Sequence, residues 1–571
     1  MLQRAKTSGP ALARSTVFHA RAEPRLHLCV TTLFFLTVMS SSGSSAMAWT
    51  IPGTALMHRL SASSSAARTR ADRSPDPSFH IHHESSIQPL PTCAATAAVA
   101  HVAARSPAAN HLPRGPRLAV ICRASPDSRA SRASRAVPMP RFSRNDHPPA
   151  SEFPGPFLAP IPPITMESLM AAREEERGHR HRAVVVTGLG CITPIGNDPG
   201  AFWTALLDGR TGAARVESFD PGPYRTRIGC EVKGFQPGPP GGDAGRATLL
   251  AIEASRQALR HGAMDPGAAG SRLGVSLGTT MGEPCFLDRL TGEPAEAWPE
   301  ALEKTPSSIT TGVARALGIR GLNASLPAAC SAGNYAVGLA LDLIREGRID
   351  AALAGGSEAF SESAFAGFSR LNALSPDACR PFDRDRQGLL LGEGAGVLLL
   401  EAEECALRRG ARILARVLGY GLSCDAHHIT GPHPEGEGAA ACMRNALEDA
   451  GESHGAVDYI SCHGTGTVQN DRIEALAIRK VFGDRAASLP VSSIKALTGH
   501  MMGAASAVEA IACVLALESG VLPPTWNHRH LDPGCELDVI PNEPRAARAR
   551  LVLNNSYAFG GNNACVALAA A

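Results

Sequence analysis

The 571-residue chain lacks several features that would settle its class at once. Its fifteen cysteines show no C-x-x-C spacing, which excludes the usual zinc-knuckle pattern and gives no sign of a secreted disulfide framework, so a reducing compartment is expected. From residue 183 onward no apolar run of transmembrane length is evident, and no stable membrane insertion of the folded part is expected. Positive charge is also missing where the chain reads as folded. Residues 1–165 hold 18 Lys and Arg against 7 Asp and Glu, a balance of +11, whereas the remainder holds 37 against 46, a balance of −9. An acidic body offers no electrostatic footprint for a phosphate backbone, which excludes nucleic acid as a partner.

Residues 1–165 are rich in Ser, Ala, Arg, Pro and His and lack sustained periodicity, the composition of a low-complexity, disordered extension. Within them the apolar run Leu26–Met39 follows basic residues and precedes Ala46-Met47-Ala48, the layout of a signal peptide. Three readings stay open: a secretory signal, an organelle transit peptide, or upstream sequence ahead of a start at Met166 or Met170. The last is favoured, and with it a cytoplasmic location; a plastid or other organelle is the alternative. His80, His82 and His83 sit in this biased tract and are read as a solvated run rather than metal ligands.

Beyond this extension the pattern changes. Strand-like runs (183–187, 457–461, 489–494) alternate with helical ones (471–482, 503–520), which predicts an α/β fold around a largely buried sheet.

Three residues in this region invite chemistry. Cys330 lies among small residues just ahead of a helical pattern spanning Ser331 to Arg345, where a helix N-terminus would favour the thiolate, the nucleophilic form. An inert, buried cysteine is the commoner alternative, and Cys330 alone does not decide. His463 and His500 each follow a strand-like run in a glycine-rich loop, the position where sites collect in α/β sheets. Gly464, Gly466, Gly499 and Gly503 would allow close approach there. The run Gly392-Glu393-Gly394-Ala395-Gly396 imitates part of a dinucleotide fingerprint but precedes a strand, so it is read as packing and implies no cofactor.

Taken together, the segments PAACSAG, LGEGAG, CHGTGTVQND, SSIKALTGHMMGAA and NNSYAFGGNNA, in this order, resemble those of the elongating β-ketoacyl-acyl carrier protein synthases over roughly residues 182–571. The resemblance implies a thiolase-like five-layer αβαβα fold of two related halves, 182–402 and 410–571. It implies an acyltransferase: Cys330 accepts an acyl chain, and decarboxylation of a malonyl unit generates the enolate that attacks it, in fatty acid, polyketide or aryl-polyene-like synthesis. By the same resemblance His463 and His500 match the histidines of a Cys-His-His triad and Lys495 matches the active-site lysine. Asp471 and Glu474 support the site, Thr465 and Thr467 contact the phosphopantetheine arm, and Phe559 gates the acyl pocket while its N–H, with that of Cys330, forms the oxyanion hole.

The resemblance also implies acyl carrier protein as a transient partner, a homodimer, and neither metal nor cofactor, because the substrates ride on the carrier's own arm. Thiolases, with a second cysteine, and initiating synthases, with an asparagine where this chain has His500, are less similar. The alternative of another class is a silent chain-length-factor-like partner subunit. Departures from the commonest pattern, HGTGT for HGTST and SYAFGGNN for SFGFGGTN, put chain-length preference in doubt; Ala558 in place of glycine raises a question about the gate loop.

Overall fold

The computed structural model describes residues 182–238, 244–289 and 305–571. The expectations for residues 1–165, for Leu26–Met39, for the His80, His82 and His83 cluster and for a start at Met166 or Met170 lie outside the described residues.

Ten strands form one hydrogen-bonded sheet. In chain order they are β1 (Val184–Ile192), β2 (Leu273–Gly278), β3 (Asn323–Leu326), β4 (Ala351–Glu358), β5 (Gly394–Ala402), β6 (Ala415–Cys424), β7 (Tyr459–Ser461), β8 (Val491–Ser492), β9 (Leu551–Tyr557) and β10 (Asn562–Ala570). Their order across the sheet is β8-β7-β9-β10-β6-β1-β5-β4-β2-β3. Reading outward from the centre, the first five strands run first-fifth-fourth-second-third, and the second five repeat the same order. Directions repeat too. In each half the first strand pairs antiparallel with the fifth, the fifth antiparallel with the fourth, and the fourth, second and third are parallel. The halves meet where Val184–Val186 of β1 pair with Ala415–Val417 of β6.

The helices repeat in register with the strands. Seven matter here: α1 (Arg246–His261), α2 (Ser307–Leu317), α3 (Ala332–Arg345), α4 (Glu362–Arg370), α5 (Glu437–Ala450), α6 (Val468–Phe482) and α7 (Ala505–Ser519). Helices α1 and α5 follow the first strand of each half, α2 and α6 the second, α3 and α7 the third.

Alternation along the strands divides the core into layers. Ala395, Val397 and Leu399 of β5 pack outward with α1 and α2, while Leu398 and Leu400 face inward toward α3 and α7. In the second half Leu551 and Leu553 of β9 face α5 and α6, and Val552 turns inward to the same central pair. The result is the expected αβαβα stack, with α3 and α7 as the middle layer.

That middle layer explains one misreading of the sequence. Met502–Ser519 is long and apolar enough to cross a membrane, but 83% of it is buried inside the protein. A helix apolar all round is either a membrane span or a core helix, and packing between two sheet faces makes this one a core helix. Small residues let the pair approach closely: a Cβ on Gly333 of α3 would lie 2.7 Å from the Ala507 nitrogen of α7.

Candidate active site

Because α3 and α7 are equivalent elements packed side by side, their N-termini lie together, and each carries a reactive group. Cys330 sits in the 3-10 turn Ala329–Ser331 that leads into α3. Its neighbour Ala329 holds a left-handed φ of 49°, a strained conformation for a residue with a Cβ. Two hydroxyl bonds pin the turn: Ser331 Oγ donates to the Ser556 carbonyl at 2.9 Å, and Ser556 Oγ donates to the Cys330 carbonyl at 2.9 Å. His500 precedes α7 by a short turn, and its Nε2 lies 3.1 Å from the Cys330 sulfur.

His463 follows β7, which is a shorter strand than the sequence suggests. Its ring stands nearly perpendicular to that of His500, at 83° with centroids 5.3 Å apart. The two histidines and the cysteine therefore meet around one cavity of about 330 Å³. Thr465, Thr467 and Phe559 line the same cavity. The threonine hydroxyls lie 2.9 Å apart, and the Phe559 ring stacks on Phe368 at 5.6 Å.

Lys495, Asp471 and Glu474 lie behind this wall. Lys495 is buried, with its ammonium 3.5 Å from His463 Nδ1. An ammonium only donates, so Nδ1 accepts and the His463 proton resides on Nε2. Glu474 accepts the backbone N–H groups of His463 and Gly464, both at 2.8 Å. Asp471 accepts those of Phe382 at 2.7 Å and Gly466 at 3.2 Å, and lies 3.8 Å from Arg386. These two carboxylates thus shape the His463 loop.

The carboxylate paired with Lys495 is Glu509 of α7, both side chains 1% exposed. Sequence reasoning missed it, although a single glutamate inside the apolar stretch AVEAIACVLAL was a visible signal: burying that charge demands a counter-charge.

Burial dominates the electrostatics. It pushes the Cys330 thiol up to about 12, against the pull of Lys495 and of the backbone amides of Phe559 and Cys330 itself. Loss of water around the sulfur outweighs the groups that favour the thiolate. Burial, then Lys495, holds both histidines well below the ordinary value of 6.5, leaving neutral imidazoles.

The glycine question resolves on geometry. Ala558 has extended backbone, φ −121° and ψ 155°, which any residue adopts, while the left-handed positions fall on Gly560 and Gly561 at φ 85° and 78°. Gly392–Gly396 leads into β5 and packs as expected: a Cβ on Gly396 would lie 2.8 Å from the Val508 nitrogen. All twelve described cysteines are free.

A buried cysteine sulfur beside one imidazole, with a second neutral imidazole on the same cavity, in a five-layer αβαβα fold fits a thiolase-like condensing enzyme. Comparison with known proteins gives the family. The chain matches the β-ketoacyl synthase N-terminal domain over residues 181–406 and the C-terminal domain over 414–529. It is 38% identical over 415 residues to 3-oxoacyl-[acyl-carrier-protein] synthase 2 of Coxiella burnetii, covering 68% of this chain and 98% of that protein. Among solved structures it resembles the ishigamide ketosynthase/chain length factor, at 45% identity and a TM-score of 0.65, covering 68% of this chain and 100% of that one. A second is a type II polyketide synthase acyl-carrier protein in complex with its ketosynthase bound to the hexaketide, at 32% identity and a TM-score of 0.63, with the same coverage. This chain belongs to the β-ketoacyl synthase family, and it is an acyl-transferring condensing enzyme.

Proposed function

We propose that the protein elongates acyl chains delivered by an acyl carrier protein, with Cys330 as the acyl acceptor and His463 and His500 as the groups that drive condensation with a malonyl unit. The observation that carries this reading is the approach of His500 Nε2 to within 3.1 Å of the Cys330 sulfur, in a cavity that His463 also lines.

The chemistry runs in two stages. In the first, the Cys330 thiol attacks the carrier-bound thioester, its proton passes to the departing phosphopantetheine thiolate while His500 keeps its Nε2–H, and the oxyanion is held by the amides of Cys330 and Phe559. In the second, a malonyl thioester occupies the same cavity, with its carbonyl against Nε2–H of His463 and Nε2–H of His500. Loss of CO₂ leaves an enolate stabilised by those donors, and its carbon attacks the acyl thioester, expelling the Cys330 sulfur. Donors already in place need no reorganisation as charge develops. Lys495 keeps His463 in the donating tautomer, and Thr465 and Thr467 fit hydroxyl contacts to the carrier's arm. Among the residues present, none of the steps calls for a metal or an organic cofactor.

The acyl-carrier-protein complex of the polyketide ketosynthase relative supports a carrier protein as partner. A homodimer belongs to the same reading, on the family resemblance.

The reading is tested by incubating the purified protein with octanoyl- and malonyl-carrier protein and following the carrier by intact mass. A two-carbon-longer β-ketoacyl product, absent with Cys330→Ala, supports it; no product and no acylated enzyme would instead mark a silent partner subunit.

A further inference from the structure

His500 is the least tethered member of the site. Its Nδ1 is buried with no hydrogen-bond partner, so the Cys330 contact is its one side-chain hydrogen bond, and the imidazole takes its place largely from the backbone. That backbone is held in two ways. The His500 N–H donates to the Leu390 carbonyl at 2.7 Å, and the His500 carbonyl accepts from Gly392 at 3.0 Å. Three residues on, the N–H of Gly503 donates to a carboxylate, Glu358, at 3.0 Å.

Glu358 ends β4 and is fully buried. Besides Gly503, it accepts the N–H of Thr280 at 2.6 Å, the N–H of Met281 at 3.0 Å and the hydroxyl of Thr279 at 3.3 Å. The segments it joins touch backbone to backbone. A Cβ on Gly356 would lie 2.3 Å from the Gly503 carbonyl oxygen, and one on Gly503 would lie 2.5 Å from the Thr279 Cα. One on Gly278 would lie 2.2 Å from the Ala332 carbonyl carbon, at the start of the helix that Cys330 precedes. Glu358 is therefore the polar centre of a junction between the His500 turn, the loop after β2, and the strand ends that support Cys330. The second half holds its equivalent loop in the same manner: β7 corresponds to β2, and the loop after β7, which carries His463, gives two N–H groups to buried Glu474.

We propose that Glu358 is a positioning residue for condensation: its carboxylate fixes the Met501–Gly503 turn, and through it sets the His500 imidazole against Cys330. This rests on the two-stage function above. Acyl transfer needs the sulfur and the two amides, to none of which Glu358 hydrogen-bonds, whereas enolate formation needs His500 in register with His463. The Cys330 thiol lies in the field of Lys495 and Glu358 and in contact with His500, and Glu358 opposes its ionisation, so removing the charge does not handicap the nucleophile.

The test is Glu358→Gln, which keeps the volume but turns an amide NH₂ toward N–H donors. Acylation of Cys330 by octanoyl-carrier protein and condensation with malonyl-carrier protein are timed separately on the full-length enzyme. The expected result is acylation at or above the parent rate with condensation lowered by about tenfold or more, as for a misplaced catalytic group. Thr279→Val, which removes one hydroxyl from the same carboxylate, gives a smaller split of the same sign and decides the matter should Glu358→Gln not fold. Equal losses in both stages, or no loss in either, overturn the proposal. Failure of the parent enzyme to acylate at all would sink the two-stage function instead, and the positioning role with it.

Discussion

His500 Nε2 lies 3.1 Å from the Cys330 sulfur although 170 residues separate them. The fold accounts for the meeting. Each residue leads into the helix that follows the third strand of its half, and the two helices pack together as the middle layer, so an internal repeat places a thiol and an imidazole face to face. His463 arrives from a different element of the second half, the loop after its second strand.

Because burial and Lys495 hold His463 and His500 well below 6.5, both rings stay neutral as pH falls through that value. The two rings should accordingly contribute no inflection near 6.5 to the condensation rate; one near 7 belongs to buried Glu358 or Glu474, both pushed up to about 7. The sign for stability is the usual one for a depressed histidine: its contribution is present above 6.5 and lost as the pH drops toward the folded-state value. Ring-proton NMR of the two histidines between pH 8 and 5.5 checks this directly, and a midpoint close to 6.5 for either would contradict it.

Lys495 and Glu509 form a buried pair, and removing one partner strands the other's charge. Lys495→Met should therefore lower stability by about 3–5 kcal/mol. Lys495→Met with Glu509→Gln should recover most of that loss without recovering condensation, because His463 Nδ1 still lacks its donor. Denaturant unfolding of both variants, alongside condensation assays, separates the two roles.

Ala558 occupies extended backbone, so Ala558→Gly should cost stability by about 0.4–1 kcal/mol through the unfolded chain and leave condensation unchanged. Gly561→Ala is the contrast. At φ 78°, with an added Cβ 2.8 Å from that of Asp425, it should cost roughly 1–2 kcal/mol or more and disturb the Phe559 loop. Thermal melts and product formation distinguish a loop that needs glycine from one that does not.

Thr465 and Thr467 line the cavity with hydroxyls 2.9 Å apart. If they hydrogen-bond the carrier's arm, Thr465→Val should forfeit about 0.5–1.5 kcal/mol. That loss should appear as a roughly two- to tenfold rise in KM for the carrier-bound substrate with kcat nearly unchanged. A fall in kcat alone would place Thr465 in the chemistry instead.

Much of this was legible in the chain. Five motifs in order indicated the family, and short apolar runs alternating with helical ones indicated an α/β fold, because strands buried on both faces read as continuous apolar runs. Convergence of Cys330 with His463 and His500 followed from the resemblance alone, since spacing along the chain carries no distance across it. Glu358 and Glu509 escaped notice because each looks like an ordinary acidic residue in an apolar stretch until burial shows which donors surround it. A helix N-terminus ahead of Cys330 is visible in sequence, whereas the desolvation that raises its thiol depends on packing from both halves.

The central claim is that one sulfur receives the acyl group while two imidazoles serve the condensation. The most direct measurement is intact-mass analysis of His463→Ala and His500→Ala after exposure to octanoyl-carrier protein, followed by malonyl-carrier protein. The predicted result is an octanoyl adduct on Cys330 in both variants that persists when malonyl-carrier protein is added, with condensation reduced by about 10²–10³-fold, the cost of one lost oxyanion donor. Discharge of the adduct into β-ketoacyl product at the parent rate, or an adduct on a residue other than Cys330, would contradict it.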